Sequence, residues 1–385
     1  MRKVSLVTGC VITAMMASHV LPSQVVAAEE KQAIELSVSK SNADAALTLQ
    51  ELGTQTILLK TQALTLLKQP TVVATTMPDL STYQDKAKQH ASYWLDVVQP
   101  SFIDANQQII SFQQKFQSYY DKLIELSSKM DTDPQAKQDF IAGIRKLQES
   151  VSNHQYQMQT MSSNLQQFKD KFDVDAQNFI NAATNAQKSL ADKNGEIAAL
   201  TKQIQSINAD ITATTGLIVG GVITMVAGIG GITLGTIALF ATTGGTVAVI
   251  IPALAGIVTG TGGLLGGGLT VGFAAKKLDN KRKELQETTQ KLTSAQTEAA
   301  SLTLLSEQVN TFKDTVTKGE DSLEGFHDNW YTLQQNFTKL KKNVDQVNPD
   351  SSVLQSYLAQ IKKSVDDLAT QAKQQEQIIT GISYQ

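Results

Sequence analysis

The chain has 385 residues, with 33 Lys and Arg against 36 Asp and Glu and a net charge of −3, enough length for one large domain or two ordinary ones. Balanced charge, with no basic cluster interleaved with aromatics, gives no case for nucleic acid as a partner. Aromatics at 6% and only seven prolines suit long uninterrupted helices better than a β-sandwich.

Residues 1–28 have the layout of a secretory signal. Arg2 and Lys3 precede an apolar stretch from Val4 to about Ala17, and Val26-Ala27-Ala28 places cleavage after Ala28. A membrane anchor is the alternative, but the stretch is short and ends in Ser18, His19 and Pro22. Removal of these residues leaves 31 basic against 36 acidic residues, about −5. Cys10, the single cysteine, follows Val7-Thr8-Gly9 in a superficial lipoprotein box; cleavage there leaves an apolar core of only six residues after Lys3. Without a thiol in the mature chain, helix packing alone must hold the fold.

Residues 29–210 and 276–385 read as a helical bundle. A first helix runs from about Ala33 to Gln69-Pro70, and Met77-Pro78-Asp79 lies in a loop before the next. Apolar residues then recur at spacings of three and four along Phe102–Met130, along Ile144–Phe179 and, after an eleven-residue step, along Leu190–Ile207. Pro100 is expected to kink the second helix. Asp131-Thr132-Asp133-Pro134 and Asn348-Pro349-Asp350-Ser351 pair cap residues with a proline suited to a helix start. A third seam holds one register from Leu278 to Val347, on the order of 100 Å if it is one helix. The pattern predicts an all-α fold: an elongated bundle of five helices whose two longest are antiparallel neighbours.

Between those two lies a head, residues 211–275, with no Asp, Glu, Lys, Arg or His and 17 of the 24 glycines. It divides into Gly216–Phe240 and Thr246–Ala275, joined by Ala241-Thr242-Thr243-Gly244-Gly245. Each arm exceeds the roughly 20 residues a helix needs to cross a bilayer. Asp210 and Lys276-Lys277 mark polar exits on one side, so the expected geometry is a hairpin at one tip of the bundle. Gly216/Gly220, Gly231/Gly235, Gly256/Gly260 and Gly268/Gly272 give spacings that allow close helix approach in lipid. The first arm nevertheless carries seven glycines, each costing about 1 kcal/mol in a helix, and much Ile, Val and Thr that suits strands. The segment is therefore expected to have two states, a short β-structure stowed in water and a helix or closed barrel in lipid. The candidate membrane-inserting residues are Leu217, Ile218, Val219, Val222, Ile223, Met225, Val226, Ile229, Ile232, Leu234, Ile237, Leu239 and Phe240 in the first arm. Those of the second are Val247, Val249, Ile250, Ile251, Leu254, Ile257, Val258, Leu264, Leu265, Leu269, Val271 and Phe273. A permanent two-pass anchor and a buried apolar core are the competing readings. A phosphate loop is discarded, since neither glycine signature occurs.

No catalytic, cofactor or metal constellation is visible. His90, His154 and His327 lie far apart without a second ligand at metal spacing and are expected on helix surfaces or seam edges. Asp and Glu are spread along helix faces as solvated surface. The expectation is a protein that is not an enzyme.

Several local stretches carry a resemblance. They are Ala63-Leu64-Thr65-Leu66-Leu67-Lys68-Gln69-Pro70, Tyr93-Trp94-Leu95-Asp96-Val97-Val98, Lys115-Phe116-Gln117-Ser118-Tyr119-Tyr120-Asp121-Lys122-Leu123, Asn329-Trp330-Tyr331-Thr332-Leu333 and Ala274-Ala275-Lys276-Lys277-Leu278-Asp279-Asn280. In order and spacing the chain resembles the haemolysin BL and non-haemolytic enterotoxin components of Bacillus, relatives of the cytolysin A α-pore-forming toxins. The resemblance implies a long helical bundle with a hydrophobic head, often a β-tongue, that rearranges on meeting membrane. It also implies a secreted toxin component, partnered by target-cell lipid and by other components in a homo- or hetero-oligomeric pore, with no cofactor. The alternative is a membrane-anchored structural or receptor-like coiled-coil protein with two transmembrane segments. A phage tape-measure protein is a third idea, against which the signal sequence argues.

Overall fold

The computed structural model describes residues 26–69, 71–190, 195–224, 238–241, 247–250, 268–289, 292–346 and 350–381. The signal residues 1–25 lie outside these, and Ala28 falls in the first turns of the first helix. The helices are α1 (Val26–Lys68), α2 (Leu80–Tyr93), α3 (Gln99–Lys129), α4 (Pro134–Leu190), α5 (Glu196–Thr224), α6 (Gly268–Thr288), α7 (Ser294–Gln346) and α8 (Ser351–Gly381). The fold is all-α apart from one small strand pair, with eight α-helices among the described residues where the seams suggest five.

Two helix starts form as the sequence dictates. Asp133 Oδ1 accepts the Gln135 amide at 2.9 Å beside Pro134, and Asp350 Oδ1 accepts the Ser352 amide at 2.8 Å. At Pro100 the chain inserts a π turn, Trp94–Val98, between α2 and α3. Proline cannot donate to the carbonyl four residues back, and its ring crowds that oxygen. The wider turn relieves this, with the Gln99 amide reaching back to the Trp94 carbonyl. It also sets Trp94, fully buried, against Phe102 at 5.3 Å and Phe168 at 5.8 Å between ring centroids.

The core is built by α4 against α7, α3 against α4 and α8, and α1 against α7 and α8. α4 and α7, with 57 and 53 residues, are about 86 and 80 Å long. They are antiparallel. Gln148–Thr338, Ser152–Gln334 and Gln187–Thr303 hydrogen bonds mark the register from one end to the other. Phe168 and Phe172 stack face to face in the seam between the two helices, and Phe312, fully buried, meets both edge-on, 5.0 Å from Phe172.

The expectation of one continuous helix from Leu278 to Val347 is corrected. The seam breaks between α6 and α7, where Thr293 and Gln296 form a reciprocal cap. The Thr293 amide donates to Gln296 Oε1 at 3.0 Å, and the Gln296 amide donates to Thr293 Oγ1 at 3.3 Å. The partner seam breaks between Leu190 and Glu196, at Gly195 with φ of +73°. The chain reverses at both breaks. Glu196 meets Gln296 and Gln205 meets Glu307, so α5 runs back along α7 in the same direction as α7. α6 is antiparallel to α5, as Gln203–Thr288 and Asp210–Lys281 contacts show. The arm carrying the head is thus folded against the flank of the bundle made by α7 and α1 rather than projecting from its tip. Periodicity reports which face is apolar and is silent about a hairpin that keeps that face inward.

Candidate functional site

The site is the root of the charge-free head and what restrains it. Ile204, Ile207 and Ile211 of α5 and Leu278 and Leu285 of α6 are buried. Thr214 and Thr215 turn their hydroxyls back to the carbonyls of Asp210 and Ile211, at 2.7 and 2.8 Å, which satisfies them within the helix.

The two polar exits are brought together. Lys281 Nζ lies 3.1 Å from Asp210 Oδ2 and 2.8 Å from Glu284, and Lys277 Nζ lies 3.9 Å from Asp210. Hydrogen bonding from Lys281, with its charge and that of Lys277, holds the Asp210 carboxyl below its ordinary range. These groups are solvent-exposed, so the pairs fix register more than they stabilise. A more strained charge sits under the folded-back arm. Glu307 of α7 is half-buried beneath α5; burial pushes its carboxyl up, hydrogen bonds from Gln205 and Asn208 oppose this, and the charge of Asp314 adds to it.

α5 continues into the head as far as Thr224, through Gly216, Gly220 and Gly221, and α6 begins at Gly268. Between them β1 (Ala238–Ala241) pairs antiparallel with β2 (Val247–Ile250), in the register Ala238 to Ile250 and Ala241 to Val247. β1 approaches α1 and α7. Of the candidate membrane residues, Leu217, Ile218, Val219, Val222 and Ile223 lie on α5, Leu239 and Phe240 on β1, Val247, Val249 and Ile250 on β2, and Leu269, Val271 and Phe273 on α6. Met225, Val226, Ile229, Ile232, Leu234, Ile237, Ile251, Leu254, Ile257, Val258, Leu264 and Leu265 lie outside the described residues. Among the described residues, no helix is long and apolar enough to cross a membrane, and no group of three His, Cys, Asp or Glu is placed to hold a metal.

The histidines do not converge. His90 pairs with Asp175 at 3.0 Å, His327 lies 3.6 Å from Asp328, and His154 is nine-tenths buried beside Trp330, at 5.0 Å between rings. His154 therefore lies deeper than a seam edge, its ring packed against both Phe112 and Trp330. Glu307 and the two reversals escaped the sequence reading. Asn194-Gly195 and the run Thr288-Thr289 to Thr293-Ser294 are the signals that mark such breaks.

The fold is similar to that of solved components of tripartite α-pore-forming toxins. The structure superposes on the Bacillus cereus HblL1 toxin component with a TM-score of 0.70 and 24% identity, covering 88% of this chain and 96% of that one. Against AhlB of the tripartite α-pore-forming toxin from Aeromonas hydrophila, the soluble form gives 0.64 at 19% identity, covering 89% of this chain and 94% of that one. The pore form gives 0.52 at 17% identity, covering 90% and 99%. Residues 40–214 match the Bacillus haemolytic enterotoxin (HBL) family, so the resemblance read from the sequence holds over that stretch. No curated protein matches the chain.

Proposed function

We propose that this protein is a secreted component of a multi-protein pore-forming toxin. It inserts its apolar head, residues 211–275, into the target-cell membrane and oligomerises with partner components to lyse the cell. The observation that carries the reading is the head itself. A 65-residue stretch without an ionisable side chain hangs on an arm with exposed ion pairs at its root. Cleavage after Ala28 releases the mature chain, and Leu217–Phe240 and Val247–Phe273 supply the side chains that enter lipid. In lipid the backbone groups of the head must bond within a helix or a closed barrel. The helical seams hold the soluble bundle and repack between protomers. Lysis needs target lipid and partner proteins, with no cofactor and no enzymatic step.

The test is dye release from liposomes and lysis of red cells, with and without the partner components. Wild-type protein is expected to act only with its partners. A variant lacking residues 216–272 that lyses as well as wild type would sink the insertion role. Protein held in the membrane fraction of the producing cell, with residues 1–28 retained, would favour the anchored alternative.

A further inference from the structure

Helix surfaces in this bundle are mostly laced with ion pairs, such as Lys122–Glu125–Lys129, Lys146–Glu149 and Lys362–Asp366. One region departs from this. Between Glu149 and Lys169 on α4 there is no Asp, Glu, Lys or Arg, and α3 from Gln99 to Gln114 carries only Asp104. The two stretches face each other across antiparallel helices joined by a short turn. Between them lies an open groove of about 610 Å³, lined mainly by Ser, Gln, Asn and Thr, with Asp104, His154, Tyr156 and Met161. The facing residues Ser101 to Ser111 span about 15 Å of helix.

The lining has the chemistry of one ligand class. An amide or hydroxyl both donates and accepts, whereas an ammonium only donates and a carboxylate only accepts. A sugar hydroxyl needs both roles at once. Tyr156 is 73% exposed at the groove, an aromatic surface offered to solvent. A pyranose presents an apolar C–H face that such a ring can cover. Burial pushes the His154 pKa down, with a Gln157 hydrogen bond opposing. The lining has no Lys or Arg with which to hold a phosphate or sialate.

We propose that the α3–α4 groove binds a short neutral oligosaccharide, with Tyr156 as the stacking platform and Asp104, Gln108 and Gln157 reading hydroxyls. The inference does not depend on the membrane role of the head. The experiment titrates the full chain with lactose, maltotriose and chitotriose, followed by saturation-transfer NMR. At least one is expected to bind saturably. Tyr156→Ala should weaken that binding about tenfold or more, a loss of about 1.4 kcal/mol. Tyr156→Phe should retain it, Asp104→Ala should weaken it, and Tyr331→Ala, at an exposed tyrosine outside the groove, should leave it unchanged. Circular dichroism melts of each variant exclude unfolding as the cause. Lactosylceramide vesicles bound and released by free lactose would assign a membrane-displayed glycan; binding of free lactose alone would assign a soluble sugar. Failure of all three sugars to bind, undiminished binding by Tyr156→Ala, or tighter binding of sialyllactose than lactose would overturn the proposal. Capture of a peptide or protein partner in place of any sugar would also overturn it.

Discussion

Gly195 offers the cleanest test of how the arm is held. Its φ of +73° lies in the left-handed region, and a Cβ built there meets nothing within 4 Å. Gly195→Ala therefore adds no clash and no contact; its cost is conformational alone, about 1–2 kcal/mol for an L-residue held left-handed. The same substitution gains about 1 kcal/mol wherever Gly195 becomes helical. The penalty falls on the reversal, not on the α4–α7 seam. Hydrogen exchange separates the two, because local opening is read amide by amide. Amides of α5 from Ala199 to Thr215 should exchange about 5–30-fold faster in the variant, while amides around Phe172 and Phe312 should not change. Gly195→Asn should show a smaller rise, since Asn tolerates this backbone region. Equal exchange in wild type and Gly195→Ala, or an equal rise throughout the molecule, would refute the assignment of the reversal to this residue.

Further outcomes follow from the seam, the second reversal and the buried carboxylate. Phe312→Ala removes the ring that Phe168 and Phe172 both meet edge-on and should cost about 3–5 kcal/mol in urea denaturation, against less than about 0.5 for the exposed Tyr331→Ala; a loss below about 1 kcal/mol would contradict the packing. Thr293→Ala removes half of a reciprocal cap and should cost about 1 kcal/mol, with faster exchange confined to the first turns of α7. Glu307 has a raised folded-state pKa, so its charge opposes the folded-back arm at neutral pH and the opposition fades as pH falls through that raised value and below. Glu307→Gln should slow α5 exchange relative to wild type at pH 7 and lose that advantage toward pH 4; a constant difference across this range would show that the carboxylate does not feel α5.

Much of the bundle was legible in the sequence, for a physical reason. Apolar spacing of three and four is the direct record of which residues a helix buries, so Ile144 to Phe179 and Phe312 to Val344 are in the core as read. Asp133 and Asp350 cap helices because a short side-chain oxygen before a helix has few other uses. The direction of the arm was not legible. α5 keeps Ile204, Ile207 and Ile211 on a buried face whether it extends from α4 or folds back beside α7, so both arrangements share one pattern. The decision is made by Gly195 and by Thr293 with Gln296, single residues that a seam of 70 positions outweighs. Pro100 was read as a kink, and the chain's response, a π turn that turns Trp94 inward, depends on the Phe102 and Phe168 rings it meets. For the head, lack of charge was unmistakable, while glycine with β-branched residues left its secondary structure open.

The doubling-back of α5 has a mechanical side. α5 and α6 are tied to each other at Asp210, Lys277 and Lys281, and to the bundle by one flank, so the pair forms a single boom with two pivots at its base. The boom measures about 44 Å along its 29 residues. Swung end for end about those pivots, its tip would travel roughly twice that length while α4 and α7 stayed clasped. The reach of the protein is thus set by two short loops, and a graft that exchanged residues 195–293 between related chains would transplant boom, pivots and tip together.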